Sequence, residues 1–438
     1  MRQMRLRTKF IIEIIIIILF TVLCTFIEIP WWQTLRNFAG PVFATIVIAA
    51  LAFFPGIMVM ITILGIVLDD PPRREIIEEE LDDITILVAA YNEEAGIYDT
   101  LESLSKQNYP KQIIVKVIDN NSKDNTKNEI FRAIKDFPEL KIEYRLETTQ
   151  GKFAALNNGL FSTTTPYVIT IDADTFMYQN SILTIVNAIT QENKKRKVGA
   201  IAGAVLVRNS RVNLLTKMQE WEYFLSIAGI KRAQGLFQST LVAQGAFSIY
   251  DTELVKDIGG WKDSIGEDIV LTWEILSRGY RTLYEDCAVS FTNAPTDLVI
   301  FLRQRARWAR GMIEGFRHFS FKRCNNLYAK LFIFCDFFLF VIDFGVSCLF
   351  TPGVIAAIFF HNYIIIGPMT AVLFPLTVLL FGIMLYSQKE RVFDNLGLKI
   401  RKHWSGLLVY MLCFSIILSP ACIYGYIQEF FHTNRRWK

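Results

Sequence analysis

The chain has 438 residues, 52% of them hydrophobic, and a mean hydropathy of +0.31. That is too apolar for an ordinary soluble protein and fits a membrane protein with a sizeable soluble part. The net charge of +4 gives no reason to expect a nucleic-acid partner.

Arg2, Arg5, Arg7 and Lys9 precede an apolar run over residues 10–29, long enough to cross a bilayer. It exceeds a signal-peptide core, no small-x-small site follows, and a second apolar run covers residues 41–68. Residues 1–68 are therefore predicted to form two spans. Pro30, Trp31 and Trp32 between them suit an interfacial aromatic belt. The basic N-terminus and Arg73-Arg74 flank the pair on one side, which the positive-inside tendency makes cytoplasmic.

Residues 69–83 form a charged linker. Short apolar runs at 84–90, 113–118, 167–171 and 198–207 then alternate with polar, helix-forming stretches. This predicts an α/β domain over residues 84–296 with a Rossmann-like, mostly parallel sheet covered on both faces. Ligands of such sheets sit at the carboxyl ends of the strands. Residues 297–328 are amphipathic and basic, with Arg303, Arg305, Arg307, Arg310 and Arg317 interleaved with Phe301, Leu302, Trp308, Met312 and Phe316. That pattern predicts a helix on a membrane surface. Apolar runs return at 331–360, 364–386 and 407–427, giving about three spans in residues 329–438. Asp336 and Asp343 share one face of the first of these and must meet protein or water: a channel, another helix or an interface.

The seven cysteines form no Cys-x-x-Cys pair, so neither a zinc site nor a disulfide framework is expected. The four histidines, at 318, 361, 403 and 432, all follow the acidic motifs described next. Chemistry in the central region therefore rests on carboxylates.

Asp119 and Asp172 fall where apolar runs end. Asp172-Ala173-Asp174 offers two carboxylates past a buried strand, either a solvated turn or a site for a hard cation against a diphosphate. Ala90-Tyr91-Asn92-Glu93 ends the first run, with Asn92 near an expected helix N-cap. Lys152, in Gln150-Gly151-Lys152, is either a surface lysine or a phosphate ligand. Gly245-Ala246 is a strand-start turn. Glu267-Asp268 is an acidic pair at a helix start, which favours the dipole and can also supply a general base. Gln304, Arg307 and Trp308 place a guanidinium and an indole on the amphipathic helix, where Trp308 is an interface anchor or a sugar platform.

Taken in order, Asp119-Asn120-Asn121-Ser122-Lys123-Asp124, Gly151-Lys152-x-x-Ala155-Leu156-Asn157, Asp172-x-Asp174, Gly266-Glu267-Asp268 and Gln304-x-x-Arg307-Trp308 resemble the membrane-embedded processive glycosyltransferases of family 2. These include the poly-N-acetylglucosamine, chitooligosaccharide, hyaluronan and cellulose synthases. The chain departs from their commoner turn by carrying Asn at 120 and 121, residues that tolerate left-handed backbone.

The resemblance implies a GT-A-like domain and an inverting, metal-dependent hexosyltransferase. It would use a UDP-sugar, UDP-N-acetylglucosamine foremost, to extend and extrude a β-linked polysaccharide. Ala90, Tyr91, Asn92, Glu93, Asp119, Lys152, Asp172, Gln304 and Arg307 are then donor-binding. Asp174, with Asp172, holds Mg²⁺ or Mn²⁺. Asp268, beside Glu267, is the catalytic base, and Gly245, Ala246 and Trp308 meet the acceptor. Gln219 and Glu222-Tyr223 match a further signature without an assigned role. The implied setting is a multi-pass plasma-membrane protein with a cytoplasmic catalytic domain, and it leaves room for a small accessory membrane subunit. A single-transfer lipid glucosyltransferase of the ceramide type, or an inactive membrane scaffold, are the alternatives.

Overall fold

The computed structural model describes residues 5–69, 74–366, 368–399, 401 and 403–431. Arg2, Arg73 and His432 lie outside them.

The first apolar stretch continues as helix past Pro30, and the turn falls just before the second run. Helix Leu6–Ile48 runs through the proline, and helical dihedrals are lost at Ala39 and Gly40, where Gly40 takes φ +87°. Only glycine adopts that conformation without strain, so the turn falls there. A π-helical turn, Ala49–Phe53, then leads into helix Phe54–Val67. Lys9 Nζ donates to Leu68 O at 2.7 Å, and Trp32 Nε1 to Thr45 Oγ1 at 3.3 Å. The two arms therefore lie side by side as a hairpin.

Eight strands follow: β1 Ile84–Ala90, β2 Ile113–Asp119, β3 Lys141–Leu146, β4 Tyr167–Asp172, β5 Thr175–Met177, β6 Val198–Val207, β7 Phe247–Asp251 and β8 Arg281–Thr292. They form one sheet in the order β3-β2-β1-β4-β7-β6-β8-β5. Every residue of β1 is buried, as expected for a β-branched strand covered on both faces. The expectation of a mostly parallel sheet needs correction to a mixed one. β3-β2-β1-β4 and β6-β8 are parallel, but β4-β7, β6-β7 and β5-β8 are antiparallel. β7 is short and follows a turn, and its apolar run did not stand out from its neighbours.

Register positions the site. Ala90 pairs with Asp119, and Ala89 with Asp172, so the carboxyl ends of β1, β2 and β4 lie level. Ile171 pairs with Phe247 on antiparallel β7, which brings the start of β7 and the preceding Gly245-Ala246 turn to the same edge.

After the sheet, helix Leu298–His318 is capped by Asp297, whose Oδ1 accepts from the amides of Val299 and Ile300. It is not simply a lipid-surface helix. Arg305 and Arg310 are buried, Arg305 pairs with Glu222, and Arg310 and Arg317 pair with Glu429 of helix Trp404–Phe430. Helices Leu327–Gly345 and Thr351–Phe360 run on through the π-helical turn Val346–Phe350, so Thr351-Pro352-Gly353 does not interrupt the run. His361, at φ +51°, ends it. Helix Pro368–Gln388 follows. Of the two acidic residues on this face, Asp343 is buried and accepts the Tyr426 hydroxyl at 2.6 Å, a helix-to-helix pairing. Among the described residues, three helical stretches are long and apolar enough to cross a membrane: Leu6–Val67, Leu327–Phe360 and Trp404–Phe430.

The charged linker and Arg391, separate in sequence, meet in one partly buried ion network. Asp69 takes Arg391 at 2.5 Å and Arg232 at 3.4 Å, and Asp286 takes Arg391 at 2.9 Å and Arg232 at 3.7 Å. Arg74 joins it through Glu192 and Glu285.

Candidate active site

The site assembles from the loops at the carboxyl edge of the sheet. The β1 and β2 loops are laced together by short-range polar contacts. Asn92 N donates to Ser122 Oγ at 3.0 Å, and Lys123 N donates to Asn92 Oδ1 at 2.8 Å. Asn92 adopts φ +55° in that interlock and is not the N-cap of the next helix, a position that Gly96 takes. Glu93 N donates to Thr126 Oγ1 at 2.7 Å, Tyr91 is half-buried, and the Ala90 carbonyl accepts Asn120 N at 2.8 Å. Asn121, at φ +61°, supplies the left-handed residue that the turn needs.

Asp119 is buried, with Oδ1 accepting Ser122 N at 2.9 Å and Oδ2 the Tyr144 hydroxyl at 3.0 Å. Burial and the Asp119 charge push the Tyr144 phenol up to about 12. Asn120, one of the two departures from the commoner turn, has a structural task. It donates to Glu147 O and Thr149 O and accepts Gly151 N at 2.9 Å. That ties the β2 loop to the start of helix Lys152–Phe161.

Lys152 Nζ lies 2.6 Å from Asp172 Oδ1 and 3.6 Å from Glu267 Oε1. Burial works against its charge, but Asp172, Glu267 and Asp268 together hold the ammonium above the usual lysine range. Gly245 packs against this group: a Cβ there would come within 2.5 Å of Lys152 Nζ and 3.8 Å of Asp172 Oδ1. Ala246 beside it is half-buried. Asp174 follows, half-buried, and its charge, like that of Asp172, bears on buried Tyr223, whose phenol burial pushes up to about 12.

The two acidic candidates differ. Glu267 is buried beside Lys152, and burial raises its carboxyl, which Lys152 opposes and Asp268 reinforces. Asp268 is half-buried, with Oδ2 accepting Gly245 N at 3.3 Å and Oδ1 accepting Ile269 N at 2.8 Å. It is less deeply buried than Glu267, as a base that must reach an acceptor needs to be.

Asp268 is fixed to the arginine-tryptophan helix. Glu314 Oε2 accepts the amides of Ile265 at 2.5 Å and Gly266 at 3.1 Å, from 49 and 48 residues away. A Cβ on Gly266 would lie 2.7 Å from Gly311 Cα, so the backbones touch. On the same helix Arg307 is half-buried, and its charge reaches Glu267. Trp308 is 39% exposed. The Arg305 guanidinium stands 4.0 Å over the Trp308 ring, donates to Gln304 Oε1 at 2.6 Å and pairs with buried Glu222. The structure thus brings together Asp119 and the β1 loop, then Lys152, Asp172, Gly245 and Glu267-Asp268, and beside them Arg307 and Trp308. Gln219 is different: its side-chain amide donates to Pro295 O and Leu215 O, a fastening inside the domain.

A scan against family models matches residues 82–311 to a model described as glycosyltransferase like family 2. The chain belongs to glycosyltransferase family 2. The match spans every candidate residue from Ala90 to Trp308. Among curated family 2 relatives, the poly-beta-1,6-N-acetyl-D-glucosamine synthase of Staphylococcus aureus (strain COL) is 35% identical over 242 residues, 55% of this chain and 57% of that protein. The enzyme of the same name from Staphylococcus epidermidis is 31% identical over 271 residues, 60% of this chain and 64% of that one. The chain therefore matches less than two thirds of the length of either. Among solved structures, a mannosyltransferase from Pyrobaculum calidifontis, in complex with GDP-Man and Mn²⁺, aligns with a TM-score of 0.61 at 18% identity. It covers 89% of this chain and 99% of that one and shows the shared GT-A-like fold.

Proposed function

We propose that the protein transfers a sugar from a UDP-sugar, UDP-N-acetylglucosamine foremost, to the end of a growing β-linked polysaccharide at a membrane. The observation that carries this reading is the placing of Asp268. It is half-exposed, bonded to the Gly245 turn, and locked through Glu314 and Gly266 to the helix that bears Arg307 and Trp308. The kinship with poly-N-acetylglucosamine synthases supports the choice of sugar and product.

In this reading the β1 and β2 loops hold the nucleotide, with Asp119 facing the base. Gln304 and Arg307 meet the diphosphate, for which a guanidinium offers paired hydrogen bonds. The indole of Trp308 stacks on the terminal sugar of the acceptor, beside Gly245-Ala246. Asp268 takes the proton of the acceptor hydroxyl as that oxygen bonds to the anomeric carbon. The bond from that carbon to the diphosphate oxygen breaks on the opposite face, and an α-linked donor yields a β-linkage. Glu267, buried on Lys152, positions that lysine.

The Asp172-x-Asp174 carboxylates fit a divalent cation. Both are oxygen donors at the end of a strand, and Asp172 already draws one positive charge, Lys152, to 2.6 Å. The solved mannosyltransferase of the same fold holds Mn²⁺. A bound Mg²⁺ or Mn²⁺ supplies charge neutralisation for the departing diphosphate. Glu285, Asp286 and Cys287 make the one cluster of three close potential ligands among the described residues. Arg74, Arg232 and Arg391 already compensate it, so it is no rival site.

The reading places residues 84–296 in the cytosol. Two spans form from the N-terminal hairpin, two from residues 327–388 and one from Trp404–Phe430. Incubating membranes with labelled UDP-N-acetylglucosamine and sizing the product tests the proposal. A polysaccharide ladder supports it, a single glycolipid indicates the lipid-transferase alternative, and no UDP release from any UDP-sugar indicates a scaffold.

A further inference from the structure

Helix Ala228–Leu236 sits behind the acceptor turn and buries a lysine, Lys231, that no motif drew attention to. Its Nζ donates to Gln244 Oε1. Gln244 in turn donates from Nε2 to Gly203 O on β6 at 2.8 Å, so both ends of the amide are committed. The Gln244 carbonyl accepts the Ser248 hydroxyl at 2.8 Å. The next residue, Gly245, donates its amide to Asp268 at 3.3 Å. On the other side of Gln244, Ala243 N donates to Thr272 Oγ1 at 3.0 Å, and the Thr272 hydroxyl donates to the Asp268 carbonyl at 2.6 Å. The Ala243 carbonyl also accepts the Tyr250 hydroxyl, at 2.6 Å. The turn is therefore pinned to the Asp268 helix at two points and to Lys231 at its apex.

We propose that Lys231 is a positioning residue for transfer: through Gln244 it holds the Gln244-Gly245-Ala246 turn against Asp268 and so fixes the approach of the acceptor hydroxyl to the base. This rests on the function proposed above. A buried ammonium is costly unless paired, and an apolar or neutral residue would fill the same space without that cost. Among the described residues Lys231 has no ion pair within 4.0 Å, whereas Arg232, next along the helix, is spent on Asp69 and Asp286. The charge whose field favours the Lys231 ammonium is Asp268, while burial pushes the amine down to about 7. A lysine kept at this cost, bonded among the described residues to the turn alone and facing the field of the base, is placed to act on the acceptor side of the reaction. The turn also packs against Lys152 and Asp172, but the β1 and β2 loops that hold the nucleotide in the proposed reading make none of the turn's hydrogen bonds given above, so UDP affinity and transfer can be read apart.

The test uses the full chain in membranes and compares wild type with Lys231→Met, Lys231→Arg, Gln244→Leu and the Lys231→Met/Gln244→Leu double variant. UDP affinity and transfer from UDP-N-acetylglucosamine are measured on each. Lys231→Met should keep UDP affinity and donor KM within about 2-fold while kcat falls about 10- to 100-fold, the scale of a small misplacement at a reacting centre. Lys231→Arg should recover most of that loss, because it keeps the charge and a donor for Gln244. The double variant should be no slower than the slower single one, as expected when two residues act as a unit. Wild-type kcat in Lys231→Met overturns the proposal. So does a parallel collapse of UDP affinity, which means a general structural role. A wild type inactive with every UDP-sugar overturns the function itself, a result separate from an active wild type beside an equally active Lys231→Met.

Discussion

The pairing of Glu222 with Arg305 makes a quantitative prediction. Both side chains are nearly sealed, at 5% and 2% exposure, and Arg305 also covers Trp308 at 4.0 Å. Removing one member of such a pair strands the other charge in the interior, at a cost of about 3–5 kcal/mol. For a soluble region of this size each kcal/mol shifts the unfolding temperature by about 2–4 °C. Glu222→Leu and Arg305→Met should therefore each lower it by about 6–20 °C. The double substitution removes both charges together and should fall within about 1–2 kcal/mol of wild type, because a packed apolar pair replaces a buried ion pair at little net cost. It should still transfer slowly, since Trp308 has lost the guanidinium that fixes its ring. Thermal unfolding of detergent-solubilised protein, followed by the amount remaining monodisperse, measures all three. Single variants as stable as wild type, or a double variant as unstable as the sum of the singles, would refute the reasoning.

Three further outcomes follow from the site. Activity should vanish in excess EDTA and return with Mg²⁺ or Mn²⁺, and Asp174→Ala should lose metal-dependent UDP binding; full activity in EDTA rules out the proposed role of Asp172 and Asp174. Trp308→Ala should weaken acceptor use and elongation with UDP affinity retained, whereas Arg307→Ala should weaken UDP affinity first. The opposite pattern, read from UDP titration and product length, reverses the two assignments. Five spans put the turn at His361 outside, so a cysteine placed there should react with an impermeant thiol reagent in sealed cells, and protection would mean a different topology.

How much of this was legible in the chain differs by feature. β1, β2, β4 and β6 could be read because they are buried on both faces and so are almost purely apolar. β3 is a half-exposed edge strand, Lys141-Ile142-Glu143-Tyr144-Arg145-Leu146, whose charges hide it. β7 and β8 follow turns and carry polar residues such as Ser248, Thr282 and Ser290, so no continuous run marked them. The antiparallel pairings escaped with them.

In the site, the residues of the sequence motifs do converge on one edge, because strand register aligns Asp119 and Asp172. The supports were invisible. Glu314 caps Gly266 across 48 residues, and Glu222 holds Arg305 across 83. No local spacing reports a partner at such separation. The N-terminal break illustrates the other limit. The two apolar runs left residues 30–40 between them, and residue type alone did not say that helix would continue through Pro30 and turn only at the end of that stretch, at Ala39-Gly40, where glycine reaches positive φ without strain.

If Asp268 is the base of a sugar transfer, Asp268→Asn must lose transfer while keeping the nucleotide. The measurement is initial transfer from labelled UDP-N-acetylglucosamine in membranes, beside UDP affinity on the same preparation. Loss of a general base costs about 10²–10⁴ in rate. A fall of at least that order is expected with UDP affinity little changed, because in the proposed reading the nucleotide rests on the β1 and β2 loops and on Arg307. Transfer at a near-normal rate by Asp268→Asn would contradict it.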